Sequence, residues 1–220
     1  MACGVEFAPR EAAIDTSKLA QDAITLFVVI NPFGAIPHYL ALTRGKTRTE
    51  RLRIARRACT YAAIILVAFI AVGELVLDGL HVGLPSFRAA GGLILLVIAL
   101  RTVLSTTIVH PLAQTEHGDE ADVAIFPLAT PFLAGPGAII AAVLLTENSV
   151  FSIAEQALTS VIAIVLCVLT FGVLASSDYL QKYLGSTGTS VISRIFGLVL
   201  SALAAETLLE GLRPYLQSLH

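Results

Sequence analysis

Six stretches of the chain are apolar over about 20 residues each, the length at which an α-helix crosses the hydrocarbon core of a membrane. They run over residues 19–42, 58–77, 87–105, 123–145, 157–175 and 191–212. Only 14% of the residues are charged and 56% are hydrophobic, whereas a soluble domain has about 25% charged residues. So few charges cannot cover a water-facing surface. The sequence therefore predicts an all-α membrane protein of six transmembrane helices, with no room for a separate soluble domain.

The lysine and arginine residues are distributed unevenly along the chain. Seven of the fourteen lie between the first and second spans: Arg44, Lys46, Arg48, Arg51, Arg53, Arg56 and Arg57. Segments rich in Lys and Arg stay on the cytoplasmic side of a membrane. We therefore expect a multi-pass protein of the inner membrane with this segment inside and both termini outside. The loop 107–122 is then cytoplasmic too, although it is acidic, because acidic residues contribute little to this rule.

Other features of the sequence argue against several classes of protein. The three cysteines, Cys3, Cys59 and Cys167, have neither the spacing of a disulfide framework nor that of a metal site. Residues 1–17 contain no apolar core of a signal peptide, so we interpret them as a polar N-terminal extension. No nucleotide-binding P-loop and no hydrolase motif occurs. We therefore expect no enzyme activity, no cofactor, no metal and no nucleic-acid partner.

The two halves of the chain resemble each other. Residues 31–37 and 130–136 match at two prolines, a phenylalanine and an alanine when they are shifted by 99 positions, and further matches occur between later spans. This predicts a first three-helix repeat over residues 18–106, the linker 107–122 and a second repeat over 123–213. Because three is an odd number of spans, the second copy enters the membrane from the opposite side. Such inverted repeats are typical of secondary transporters.

The repeated segment predicts that helices 1 and 4 are broken in mid-membrane. Pro32 and Pro131 cannot donate a backbone hydrogen bond, and each disfavours helical angles in the residue before it, which is Asn31 or Thr130. Proline suits the first position of a helix, so we expect new half-helices to begin at Pro37 and Pro136. Backbone groups exposed by such breaks must line protein or a watery cavity, because lipid cannot satisfy them.

The two breaks together predict a substrate site at the membrane midplane. Half-helix N-termini offer N–H groups and a positive dipole end to a carboxylate. The predicted binding residues lie in the two breaks: Asn31, Pro32, Phe33, Gly34, Pro37, Thr130, Pro131, Gly135, Pro136 and Gly137. The alternative is a pair of proline kinks that serve only helix packing.

These motifs resemble those of the MarC family of bacterial and archaeal membrane proteins, over roughly residues 18–212. The resemblance is carried by four segments of the sequence: Asn31-Pro32-x-Gly34-x-x-Pro37, Arg88-x-Ala90-Gly91-Gly92-Leu93, Pro127-Leu128-Ala129-x-Pro131-x-x-Ala134-Gly135-Pro136-Gly137, and Ile192-Ser193-Arg194 with Gly197. It implies six helices in two inverted repeats with the N-terminus outside. It further implies uptake of glycine, alanine and similar amino acids, driven by a cation gradient.

Four ionisable side chains in the predicted spans are candidates for carrying a coupling cation, because charges at membrane depth are costly and often functional. They are Asp22, His38, Glu74 and Glu206. The leading hypothesis is a secondary transporter of small neutral amino acids that is coupled to protons or sodium and works by alternating access. The alternative is an exporter or channel for another small solute. The expected partners are a small-molecule substrate, the coupling cation and the lipid bilayer.

Overall fold

The computed structural model describes residues 16–104, 128–130, 133–146 and 153–217. In these ranges all regular secondary structure is helical, and there is no strand. Seven α-helices are described, and we number them in chain order: α1 Thr16–Ile30, α2 Pro32–Leu42, α3 Arg48–Gly79, α4 Leu84–Leu104, α5 Pro136–Leu144, α6 Ile153–Ala175 and α7 Ser177–Gln217.

Five helices of the described part are long and apolar enough to cross a membrane. They cover Ser17–Leu42, which joins α1 and α2, and then Arg48–Gly79, Leu84–Leu104, Ala154–Ala175 and Ser190–Gln217. These agree with five of the six predicted spans. Of the remaining predicted span, 123–145, only 128–130 and the part from Leu133 onward are described.

The basic segment between the first two spans is mostly helical, so the second helix begins earlier than predicted. The second span was predicted to begin at residue 58, but α3 begins at Arg48. Thr47 caps this helix, because its hydroxyl accepts the Glu50 N–H and the Glu50 carboxylate accepts the Thr47 N–H at 2.6 Å. With 32 residues, α3 is about 48 Å long, whereas the hydrocarbon core is about 30 Å thick. Its cationic first turns therefore extend beyond the hydrocarbon.

Helix α7 changes direction near its beginning. Gly185 has φ 67° and ψ 178°, so two helices meet there. A side chain rarely tolerates this φ value, which explains glycine at this position. The membrane-length part of α7 follows the bend and begins at Ser190.

Helices from the first half of the chain pack against helices from the second half. The most extensive pairing joins α4 to α7, the next joins α3 to α6, and α5 lies against α1, α3 and α4. Small residues allow close approach at these crossings. A Cβ added to Gly92 of α4 would lie 2.5 Å from the backbone nitrogen of Leu208 in α7. The two helices therefore touch backbone to backbone.

Polar contacts define two ends of the helix bundle. At the end that we call the basic end, Arg51 of α3 forms a 2.9 Å ion pair with Asp178 of α7 and lies over the ring of Tyr39 in α2. At the opposite end, a 3.2 Å ion pair links Lys18 and Asp22 near the start of α1.

Candidate functional site

The first predicted break exists, and it is one residue long. Asn31 separates α1 from α2 with φ 47° and ψ 65°, the left-handed conformation. Pro32 follows at the first position of α2 and disfavours right-handed helical angles in Asn31. The Asn31 side-chain oxygen Oδ1 accepts the Gly34 N–H at 3.1 Å. The chain therefore leaves the helix at Asn31 and re-enters it at once.

The predicted role of Pro37 as the first residue of a new helix was wrong. Pro37 lies inside α2, and Pro32 occupies the first position instead. The reason is the side-chain cap of Asn31, which starts the helix five residues earlier than expected. His38 lies one residue further along α2, and its ring donates from Nδ1 to the Gly34 carbonyl oxygen at 3.1 Å.

The second break lies around Gly135, close to its predicted place. Leu128, Ala129 and Thr130 form a π-helical turn, in which Ala134 N–H donates to the Ala129 carbonyl at 2.8 Å. Thr130 is thus wound into a helix, and the expectation that it leaves the helical region was wrong. The extended residue is Gly135, with φ −76° and ψ 171°, because the following proline favours that conformation.

Helix α5 starts at Pro136, as the sequence predicted. The cap residue, Gly135, has no side chain to bond the first N–H groups of the helix. Gly135 and Gly137 are buried, Thr130 is half-buried and Pro136 is exposed. The predicted contact at Pro131 lies outside the described residues.

The two breaks lie next to each other. A Cβ added to Gly137 of α5 would lie 2.6 Å from Leu95 Cδ2 in α4 and 3.6 Å from Val29 Cγ1 in α1. Val29 precedes Asn31 by two residues. The start of α5 therefore packs against the end of α1.

Three aromatic rings pack together beside the first break. Phe33 in α2 stacks on Phe196 of α7 with ring centroids 5.6 Å apart. Phe27 of α1 meets Phe196 edge-on, also at 5.6 Å, and it meets Phe33 at 6.4 Å. The sequence had indicated Phe33 only. Phe27 lies one turn before Asn31, and Phe196 precedes Gly197 in the sixth-span motif, so both were near segments already singled out.

The supply of backbone N–H groups differs between the two helix starts. At α2, proline has no N–H at the first position, and the Asn31 side chain takes up the Gly34 N–H. At α5, proline again occupies the first position, but no side chain caps the following N–H groups. The positive end of the α5 dipole is therefore the better receptor for a carboxylate.

The four candidate coupling residues differ in burial. Asp22 is 1% exposed, whereas Glu206 is exposed and Glu74 and His38 are half-buried. The Asp22 carboxylate accepts a 2.6 Å hydrogen bond from the Thr159 hydroxyl of α6 in addition to its ion pair with Lys18. Lys18 also donates to the Leu145 carbonyl, just after α5, at 3.4 Å. These contacts connect the start of α1 to α6 and to the end of α5.

A cavity opens at the basic end. It encloses about 460 Å³ and is lined by the second half of α2, the following loop and the starts of α3 and α7. Pro37, Leu40, Arg44, Lys46, Arg51 and Asp178 are among its lining residues. We call Lys18, Asp22 and Thr159 the Asp22 cluster. The cavity and the Asp22 cluster thus lie at opposite ends of the helix pair α1–α2.

The fold and the broken helices define a class, that of integral multi-pass helical membrane proteins. Residues 16–216 match the family described as MarC family integral membrane proteins. The chain is 36% identical to the UPF0056 membrane protein MJ1677 of Methanocaldococcus jannaschii, over 86% of this chain and 93% of that protein. It is 34% identical to the UPF0056 membrane protein YvbG of Bacillus subtilis, over 89% and 95% of the two chains. No solved structure matches. The chain belongs to the MarC family.

Proposed function

We propose that this protein is a secondary transporter of small neutral amino acids, coupled to protons or sodium, with its substrate site between the two helix breaks. The observation that carries this proposal is the packing of the start of α5 against the end of α1. It brings an uncapped helix N-terminus beside a second helix break.

The proposed site suits a small amino acid. The N–H groups and dipole at the start of α5 attract the substrate carboxylate, and the uncharged side chain Asn31 supplies polar contacts for the ammonium group. Phe27, Phe33 and Phe196 close one side of the site with rings, which limits the volume left for a substrate side chain. This favours glycine and alanine over larger amino acids.

The two ends of α1–α2 support alternating access. The cavity of about 460 Å³ at the basic end reaches Pro37 in α2. At the other end, Asp22 and Thr159 join α1 to α6 at 2.6 Å. We infer a conformation that is open toward the basic end and closed by the Asp22 cluster at the opposite end.

Asp22 is the best-placed candidate for the coupling residue. A buried carboxylate is costly without a partner, and Asp22 has Lys18 at 3.2 Å. A proton or sodium ion that binds Asp22 takes the place of Lys18 as its partner. Neutralising the carboxylate also weakens the hydrogen bond that it accepts from Thr159 of α6, because a charged acceptor makes the stronger bond, and this allows the closed end to open.

We further propose six spans in two inverted repeats. The α1–α5, α3–α6 and α4–α7 pairings join helices to their counterparts in the other half, an arrangement that a two-fold axis in the membrane plane produces when counterparts lie beside it. Helix α4 ends at the basic end, whereas α6 begins beside Asp22 at the opposite end. The chain between α4 and α6 must therefore cross the membrane once more, and α5 is part of that sixth span.

Uptake of labelled alanine and glycine into proteoliposomes tests the proposal. Under an inward proton or sodium gradient we expect uptake well above that of protein-free vesicles. Gly137→Leu should reduce this uptake at least tenfold, because even a Cβ at this position meets Leu95. Gly79→Leu is the matched control, since a Cβ there meets nothing within 4 Å. Absence of gradient-driven uptake of any small amino acid would overturn the proposed substrate.

The coupling residue needs a separate measurement. Asp22→Asn keeps an acceptor for Thr159 but removes the charge. We expect gradient-driven uptake to be lost while exchange of labelled for unlabelled alanine across the membrane persists. If Asp22→Asn retains full gradient-driven uptake, Asp22 does not carry the coupling cation.

A further inference from the structure

A groove runs along the outer surface of the bundle between α3 and α6. We call it the α3–α6 groove. It encloses about 640 Å³. In the part of the chain that the structure describes, its lining residues come from these two helices: Arg56, Cys59, Thr60, Ala63, Ile64, Val67, Ala68 and Ala71 from α3, and Ile164, Cys167, Val168 and Phe171 from α6.

The lining residues form one stripe on each helix. On both helices they recur at intervals of three and four residues, which places them on a single face. Alanine, cysteine and threonine dominate the α3 stripe, so the groove is deep there. Its rims are large apolar side chains, with Ile64 58% exposed and Val168 64% exposed. The α3–α6 groove is therefore apolar and open to the membrane along its length.

One end of the groove is cationic. Arg56 is exposed, and among the described residues that line the groove it alone is charged. From Ala58 to Gly73 α3 has no charged residue, so Arg56 lies where the helix leaves the hydrocarbon. The distance along α3 from Arg56 to Ala71 is about 22 Å at 1.5 Å per residue. That equals roughly half of the 40–45 Å thickness of a bilayer with its headgroups, which is the length of one lipid molecule.

The width of the groove selects among occupants. A volume of about 640 Å³ spread over about 22 Å gives a mean cross-section of roughly 29 Å². An unbranched alkyl chain fills so narrow a space along its length, whereas a helix of a second copy would insert only a row of side chains into it.

We propose that the α3–α6 groove binds one anionic phospholipid, with an acyl chain along the groove and the phosphate at Arg56. The cationic end supplies the charge that distinguishes an anionic from a zwitterionic headgroup, since basic residues at a membrane surface attract anionic lipids. The apolar stripe holds the chain.

Native mass spectrometry of the full-length protein in a neutral detergent tests this site. Phosphatidylglycerol and phosphatidylcholine with identical acyl chains are the two probes. We expect one phosphatidylglycerol to remain bound per chain, at least fivefold more than phosphatidylcholine. Arg56→Gln should remove this preference. Ala68→Phe should reduce retention of both lipids, because the added ring fills the α3–α6 groove.

Two matched variants serve as controls. Arg53→Gln makes the same charge change on an exposed residue of α3 outside the groove, and Ala202→Phe adds the same ring to an exposed alanine of α7. Both should bind lipid as the unaltered protein does. Equal retention in all four variants would overturn the proposal, as would equal retention of the two lipids by the unaltered protein. A dimer that Ala68→Phe dissociates would also overturn it, because a second copy would then occupy the groove.

Discussion

At the scale of single residues, Asn31 determines how the first transmembrane helix is interrupted. It combines two properties, a left-handed backbone and a side-chain oxygen that accepts the Gly34 N–H at 3.1 Å. Asparagine is one of the few residues that provides both, because it tolerates the left-handed region and is a strong N-cap.

Substitutions of Asn31 separate these two properties. Asn31→Ala removes the cap, which lowers the free energy of unfolding by about 1 kcal/mol. It also strains the left-handed backbone, which lowers that free energy by about 1–2 kcal/mol more. Asn31→Gly loses the cap but keeps the conformation, so its unfolding free energy should fall by much less. Unfolding followed by circular dichroism in detergent measures both. Equal destabilisation by Ala and Gly would contradict the role given to the left-handed backbone.

Asn31 also shows where sequence reasoning succeeded and where it did not. The tandem prolines correctly indicated a break in each of two segments. They did not indicate which proline starts a helix, because that depends on the preceding residue. Asn31 caps the helix at Pro32, whereas Gly135 reaches an extended conformation before Pro136. The cap signal, asparagine three residues before Gly34, was present in the sequence.

At the scale of helices, the α4–α7 crossing depends on glycine. The two backbones approach so closely at Gly92 that its hydrogen fills the available space. An added Cβ would lie 2.5 Å from Leu208 N and 2.7 Å from Leu208 Cα. Backbone atoms cannot move aside as a flexible side chain can, so the helices must separate.

The Gly92→Ala variant tests this close approach. We expect a loss of about 1–3 kcal/mol in the free energy of unfolding, the usual cost of overpacking. Gly79→Ala is the control, because a Cβ there meets nothing within 4 Å, and alanine favours helix by roughly 1 kcal/mol. Thermal unfolding of both variants in detergent gives the comparison. If Gly92→Ala is as stable as Gly79→Ala, the two helices are not in backbone contact.

Helix ends were harder to predict than helix cores. Uncharged apolar stretches mark the part of a helix that lies in hydrocarbon, and five of the six predicted stretches agree with described helices. The polar ends follow other rules, such as the Thr47–Glu50 capping box that starts α3 at Arg48. A hydropathy pattern contains no information about a helix that continues into water.

At the scale of the whole molecule, the sequence predicted the helical class and five of the spans, but few of the contacts between spans. Asp22 and Thr159 are 137 positions apart in the chain. Phe27 and Phe196 are also distant in the chain, and they come together only when α1 packs against α7. Such pairings depend on how the helices are arranged, and no local pattern in one chain encodes that arrangement.

The orientation of the molecule in the membrane follows from the distribution of charge. The basic end contains the loop Thr43–Thr47 and the cationic first turns of α3, which the positive-inside rule assigns to the cytoplasm. The loop between α3 and α4 lies at the other end of a 32-residue helix, and it should be outside. Thr47 and Val82 are both exposed, one in each of these loops. Cysteines at the two positions should therefore react equally with a labelling reagent unless a membrane separates them.

Cysteine labelling decides the orientation. In a variant with Cys3, Cys59 and Cys167 replaced by serine, either Thr47→Cys or Val82→Cys is introduced. A membrane-impermeant maleimide added to intact cells should label the cysteine at position 82 only, and the one at position 47 should react after permeabilisation. The reverse pattern would mean that the cationic turns lie outside, against the charge rule. Labelling of both in intact cells would mean that α3 does not cross the membrane, and the proposed transport site would then lose the bilayer around it.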